Sequence, residues 1–293
     1  MPSIGDILPE VDEGFQSAEN NPGAANDAIA AALLGANGSD WPQPDPLESD
    51  LVTFPGGLVL SDGTVIKHGR VKELTGADEE AIARASISLN PFHFLNVLLE
   101  CGVVSIGDQP RNKTKELLKK LLVGDRDALI LGIRKITYGD TIDIGEWMCP
   151  ECQTTTELSI GTEDVPVREL DSPADCEFEV SLRKQRIAKV ALATGADQLA
   201  VFENTKLNIK ERDTILLART IISIQEQNGT VNGAAGFAHG IATGLGLADR
   251  SKVLKELAKR QPGPRFGEIK FTHDTCNKEV TVAVGIGDLF PDL

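Results

Sequence analysis

Positive charge is in short supply in this chain. Across 293 residues, 29 Lys and Arg stand against 44 Asp and Glu, giving a formal net charge of −15 and a pI near 4.7. A nucleic-acid binder needs a basic face that releases phosphate counterions. The only candidate patches, "SLRKQRIAK" and "KELAKRQPGPR", are short and lie beside segments that read as folded. Long apolar runs are missing too: none reaches the roughly eighteen residues of a membrane-spanning helix. The first residues lack the basic start and apolar core of a signal peptide, so the expectation is synthesis in a cytoplasm with the cysteines reduced. No Gly-rich phosphate loop, nucleophile elbow or readable carboxylate pair occurs, which leaves no support for an enzyme or a small-molecule substrate.

Soft metal ligands are equally scarce, at 5 Cys and 4 His, and their placement is informative. "WMCPECQTTTELSI" sets Cys149 and Cys152 two residues apart within a strand-like run, and "EIKFTHDTCNKEVTVAV" does the same for His273 and Cys276. Each reads as strand, ligand-x-x-ligand, strand. A redox Cys-x-x-Cys would instead open a helix. Two hairpins lending two ligands each satisfy a tetrahedral zinc ion, so the expected cofactor is a structural Zn2+ held by Cys149, Cys152, His273 and Cys276. Cys101, in the apolar run "NVLLECGVV", reads as a buried small side chain. Cys176, His68, His93 and His239 carry no such pattern.

A gap of 120 residues separates the two knuckles, and a repeat accounts for it. "TGAD" occurs at 75–78 and at 194–197. A hairpin pattern precedes each copy: "GGLVLSDGTVIKHGRVKEL", with a tight turn at Asp62-Gly63, and "CEFEVSLRKQRIAKVAL", where Phe178, Val180 and Leu182 alternate with polar residues. "RDALILGIR" at 126–134 and "RDTILLAR" at 212–219 follow, and then a knuckle. Residues of about 53–160 and 174–293 therefore read as two copies of one module, related by a pseudo-twofold axis near the metal. Asp78 is expected to cap a helix from Glu79 to about Leu89, and Asp125 to cap a buried helix carrying Leu129, Ile130, Leu131, Ile133 and Ile136. Asp127 and Arg134 share a face of that helix, better suited to an internal hydrogen-bond network than to a partner.

The first fifty residues, rich in Asn, Asp, Gly, Pro and Ala, bury too little apolar surface to fold alone and read as an extended acidic arm. Two readings stand side by side: its short patch Ala28–Leu34 docks as a helical turn on a neighbour, or the arm is simply disordered. The expected architecture is α+β: an arm over 1–50, a module with the Cys-x-x-Cys hairpin over 51–160, and a module ending in the His-x-x-Cys hairpin over 161–293. Two tandem related modules of β-hairpin plus helices share one zinc-ribbon-like site.

The succession "VKELTGADEEAIARA", "LLVGDRDALILGIRKITYGD", "CPEC" and "FTHDTCNKEVTVAVGIGDLFPDL" resembles the baseplate hub and hub-assembly proteins of T-even-type contractile phages. The matching features are Thr75–Glu79, the Asp125–Arg134 helix, the Cys149/Cys152 knuckle, and a C-terminal ligand hairpin followed by Asp288–Pro291. His273 stands where a cysteine would be expected in the second knuckle, and imidazole ligates zinc as well. The resemblance implies a non-enzymatic structural component of a tail baseplate, resident in the virion, whose partners are other baseplate and tail subunits and not nucleic acid or membrane. Two alternatives stand beside it: an assembly factor absent from the mature particle, and a zinc-ribbon regulator that binds nucleic acid.

Overall fold

The computed structural model describes residues 49–86, 91–233, 236, 238–291 and 293, all within one compact unit, Glu48–Leu293. The acidic arm and its Ala28–Leu34 patch lie outside the described residues; Ser49 and Asp50 already belong to the first strand. The fold is mixed helix and sheet, as the α+β reading expects.

The first half opens on strands β1 (Ser49–Val59) and β2 (Val65–Lys72), joined by the turn at Asp62-Gly63. Gly63 takes φ +85, which a β-carbon would oppose, and the Asp62 carboxylate accepts the Thr64 N–H at 2.9 Å. Helices α1 (Gly76–Ser86) and α2 (Pro91–Gly102) lead to β3 (Val103–Ile106), which pairs with β2 in the sheet order β1-β2-β3. Helices α3 (Thr114–Lys120) and α4 (Val123–Tyr138) then lead to the hairpin β4 (Thr141–Met148) and β5 (Thr155–Gly161). A short strand β6 (Val167–Arg168) begins the link to the second half.

That half starts with hairpin β7 (Glu177–Ser181) and β8 (Ile187–Ala191), followed by α5 (Gly195–Phe202), α6 (Ile209–Thr220) and β9 (Ile221–Gln225). β9 pairs with β8, and β10 (Val231–Gly233) extends the sheet. Helices α7 (Ala238–Gly244) and α8 (Leu247–Arg260), strand β11 (Gly263–Pro264), hairpin β12 (Ile269–His273) with β13 (Lys278–Val282), and helix α9 (Ile286–Leu289) complete the chain.

Both halves run hairpin, TGAD helix, helix, third strand, two helices, ligand hairpin. The third strand joins with the same slip in register, between Arg70 and Val71 in one half and between Lys189 and Val190 in the other. In each half Thr of TGAD is the N-terminal cap, and Asp of TGAD reaches back to it: Asp78 accepts the Thr75 N–H at 3.0 Å, Asp197 the Thr194 N–H at 2.9 Å. The cap is thus the threonine and not, as expected, Asp78.

The pairing of residues 126–134 with 212–219 fails. Residues 212–219 lie in α6, directly before the third strand, where the first half has α2. By order, the counterpart of α4 is α8, and the shared pair is Asp125-Arg126 with Asp249-Arg250. Asp125 does not cap its own helix either. It sits at the third position and accepts the N–H groups of Gly56 at 2.7 Å and Gly57 at 3.1 Å, pinning β1 where its register shifts. Asp249 likewise accepts the Arg183 N–H at 3.0 Å and pairs with Arg186 at 2.9 Å in the β7–β8 turn. Arg134 donates to the carbonyls of Gly139 and Thr141, tying the end of α4 to β4.

The core has two parts. Leu98, Leu129, Ile133 and Ile142 of the first half pack with Ile269, Val282, Leu289 and Phe290 from the end of the chain. Phe178, Val180, Leu217, Val253 and Leu257 form the other, joined by Leu122 from the first half. Each half therefore places a piece in the other's core. Cys101 packs beside the first core, and burial raises its thiol pKa, in line with a bland packing role.

Asp125 is fully buried, and burial lifts its carboxyl to about 6, although the two glycine N–H groups oppose the shift. At pH 7.5 it is therefore a charged acceptor. Asp125→Ala strands two backbone donors and should lower unfolding free energy by about 3 kcal/mol at that pH, read from urea denaturation. A loss below about 1 kcal/mol would show that the clamp is dispensable.

Candidate metal centre

Each ligand pair sits at the tip of a two-stranded hairpin. In the first, Met148 pairs with Thr155, Cys149 donates its N–H to Thr154, and Gln153 donates to the Cys149 carbonyl at 2.8 Å. In the second, His273 pairs with Lys278, and Asn277 donates to the His273 carbonyl, again at 2.8 Å. The residue after the second ligand is left-handed in both, Gln153 at φ 58 and Asn277 at φ 56. This reversal turns the two ligand side chains of each knuckle to the same side.

The knuckles meet tip to tip. Cys149 Sγ lies 3.9 Å from Cys276 Sγ, and His273 Nδ1 lies 3.5 Å from Cys152 Sγ and 3.3 Å from Cys276 Sγ. All four donor atoms fall within 4.8 Å of one another. A disulfide needs sulfurs about 2.05 Å apart, so these are free thiols. Bond lengths of about 2.3 Å to sulfur and 2.0–2.1 Å to nitrogen imply tetrahedron edges of about 3.5–3.8 Å. The observed separations bracket those edges, so the four groups are compatible with a metal site.

The surroundings keep the donors in place. Cys149 and His273 are buried, and the Trp147 ring meets His273 and Phe271 edge-on at 5.8 and 5.4 Å. Lys278 reaches across the knuckles to Glu151 at 2.7 Å. The hydroxyl and N–H of Thr154 pull the Cys152 thiol down to about 6, favouring the thiolate that binds metals. His273 Nε2 is buried without a hydrogen-bond partner, so Nδ1 is the nitrogen turned to the sulfurs. Four protein donors leave no open position for water or substrate, the pattern of a structural centre.

The remaining candidates stay apart from this centre. His239 is exposed on α7, and His68 sits on β2 opposite Thr53. An apolar groove of about 450 Å3 opens among α5, α6 and α8, walled by Val201, Phe202, Leu216, Leu254 and Leu257. Its carboxylate, Asp213, is engaged by Lys210 at 3.2 Å. The Asp125 and Asp249 clamps escaped the reading of the sequence. Their signal, the dipeptide Asp-Arg at 125 and 249, was masked by the longer likeness between 126–134 and 212–219.

Two hairpins that bring four soft donors together are compatible with a metal site, and comparison with known families gives the class of protein. Residues 104–291 match the family described as T4 bacteriophage base plate protein, and the chain belongs to that family. It is accordingly a protein of the T4-type phage tail baseplate, whose neighbours are other tail components. The match takes in all four donors. Neither the curated proteins nor the solved structures contain a match to the chain. No helix among the described residues is long and apolar enough to cross a membrane.

The left-handed turns are testable. A β-carbon at φ near +57 costs about 1 kcal/mol, less for Asn, which tolerates that region. Gln153→Gly should therefore raise stability by up to about 1 kcal/mol, and Asn277→Gly by less. A clear loss for Gln153→Gly in urea unfolding would contradict the turn geometry.

Proposed function

We propose that this protein is a non-enzymatic structural component of the baseplate hub, built from two tandem related modules and stapled by one structural zinc ion. The observation that carries the reading is the convergence of Cys149, Cys152, His273 and Cys276 from hairpins 120 residues apart, within a family of baseplate proteins. A zinc ion there would supply a crosslink between hairpins and no reaction. Closing a loop of that length restricts the unfolded chain by about 4–5 kcal/mol on the chain-entropy account. The matching element order, register slip and threonine caps of the two halves support the two-module reading. The apolar groove with a pre-engaged carboxylate favours a scaffold over a catalyst, and the charge of −15 argues against nucleic acid as the partner.

Two measurements test this. Elemental analysis of the native protein should find one zinc per chain, and Cys276→Ala should lose it together with at least about 3 kcal/mol of stability. Lys278→Ala, which removes only the exposed pair with Glu151, should cost less than about 1 kcal/mol and keep the metal. A metal-free native chain ends the zinc reading. Mass spectrometry of purified particles should detect the protein at stoichiometric level; its absence from particles whose tails depend on it would make it an assembly factor instead.

A further inference from the structure

The tetrapeptide Thr-Gly-Ala-Asp occurs twice, and among the described residues only the second copy is docked. There Leu122 pairs with Thr194 as an antiparallel bridge, Gly195 donates its N–H to the Leu121 carbonyl at 2.9 Å, and Val123 donates to Ala193 at 3.0 Å. Gly195 is buried, and a β-carbon on it would stand 2.5 Å from Arg126 Nη1 and 2.7 Å from the Leu118 carbonyl oxygen. Only glycine fits. In the first copy Thr75, Gly76 and Ala77 are exposed, and a β-carbon on Gly76 would meet nothing within 4 Å. Its φ lies outside the left-handed region as well. Neither the backbone nor the space left by the described residues explains a glycine at 76. Beside it lies an open groove of about 580 Å3 walled by Leu74, Glu79 and Thr137. Their counterparts Ala193, Gln198 and Gln261 line the same cavity as Val123.

The other side of the joint is also repeated and bare. The docked segment Leu121–Val123 enters α4, and by position Leu245–Leu247 enters α8. Leu121 and Leu245 are both buried, but Leu247 is 85% exposed, whereas Val123 is half-buried. Arg126 behind the docked segment donates to Asn96. Arg250 holds the matching place, donating to Thr214 at 2.9 Å and to the Ala242 carbonyl at 2.6 Å. The second half thus presents the counterpart of the cradle that grips Thr194–Gly195, with none of the described residues in it.

We propose that copies of this chain associate head to tail, Leu245–Leu247 of one docking on Thr75–Gly76 of the next, as Leu121–Val123 docks on Thr194–Gly195 within a chain. Gly246 would face Thr75, the Gly76 N–H would donate to Leu245, and the Leu247 N–H to Leu74. The occupant is a second copy because the fitting surface of each face is found on the other end of the same sequence. A heterologous contact of this kind closes into a ring or extends as a filament. The inference rests on the two-module reading.

Sedimentation velocity of the full-length chain tests it. Wild type should form dimers and larger species as concentration rises. Gly76→Trp and Leu247→Arg should each weaken association by about tenfold or more while keeping the wild-type melting temperature, both sites being exposed. An equimolar mixture of the two variants should form a heterodimer and stop there, since one chain keeps an intact Leu247 face and the other an intact Thr75 face. Mixing cannot restore a symmetric dimer, in which each variant damages its own patch twice, so failure of the mixture to associate overturns the proposal. So does a wild type that stays monomeric to about 1 mM, or one that associates only after removal of residues 1–48. Gly195→Trp checks the template separately. It should lower the melting temperature of the single chain, and if it does not, the two-module reading fails first.

Discussion

The packing of the C-terminal hairpin on the core of the first half is the contact on which the rest of the molecule depends. Ile269, Val282, Leu289 and Phe290 are buried among first-half residues, and this brings His273 and Cys276 to Cys149 and Cys152. The chain reaches that position along a narrow path. The backbone of Pro262-Gly263 runs so close to the start of α4 that a β-carbon on Gly124 would stand 1.5 Å from the Pro262 carbonyl oxygen. Strands β6 and β11 pair alongside. Before any metal is considered, apolar burial and one glycine contact already hold the two ligand hairpins together.

A second constraint runs the other way. Leu122 leaves the first half to join the second core, and Val123, Leu121 and Thr194 add a short backbone bridge. The exchange of a hairpin in one direction and a strand segment in the other makes the halves interdependent. The two knuckles share a left-handed residue after the second ligand and a hydrogen bond from that residue back to the carbonyl of the first ligand. The two TGAD turns differ, one docked on Leu121–Val123 and the other exposed. That asymmetry is what leaves complementary faces at the two ends.

Much of this could be read in the residues. The knuckles were legible because two-residue ligand spacing inside strand-like runs has few other uses, and the hairpins because Asp62-Gly63 and the Phe178, Val180, Leu182 alternation are local signals. The helices start three residues earlier than the sequence suggests: Asp78 and Asp125 look like caps, yet Thr75 and Leu122 hold the cap positions and Asp125 reaches across to Gly56. A carboxylate near a helix start satisfies either role, and choosing between them needs the position of a strand 69 residues away. The likeness of 126–134 to 212–219 misled for a related reason. Arg-Asp followed by aliphatic residues suits any buried helix, while the functional match, Asp125 with Asp249, is two residues long.

The sequence by itself determined the scarce soft ligands, their pairing in two knuckles, the repeated TGAD and the class of protein that this succession resembles, because each of these is written in short stretches of chain. Only the tertiary structure decided which elements correspond, which carboxylates clamp which strands, and that identical tetrapeptides meet different fates. Those outcomes depend on long-range burial: Gly195 is enclosed by Arg126 and Leu118, Gly76 is enclosed by none of the described residues, and no local pattern distinguishes them.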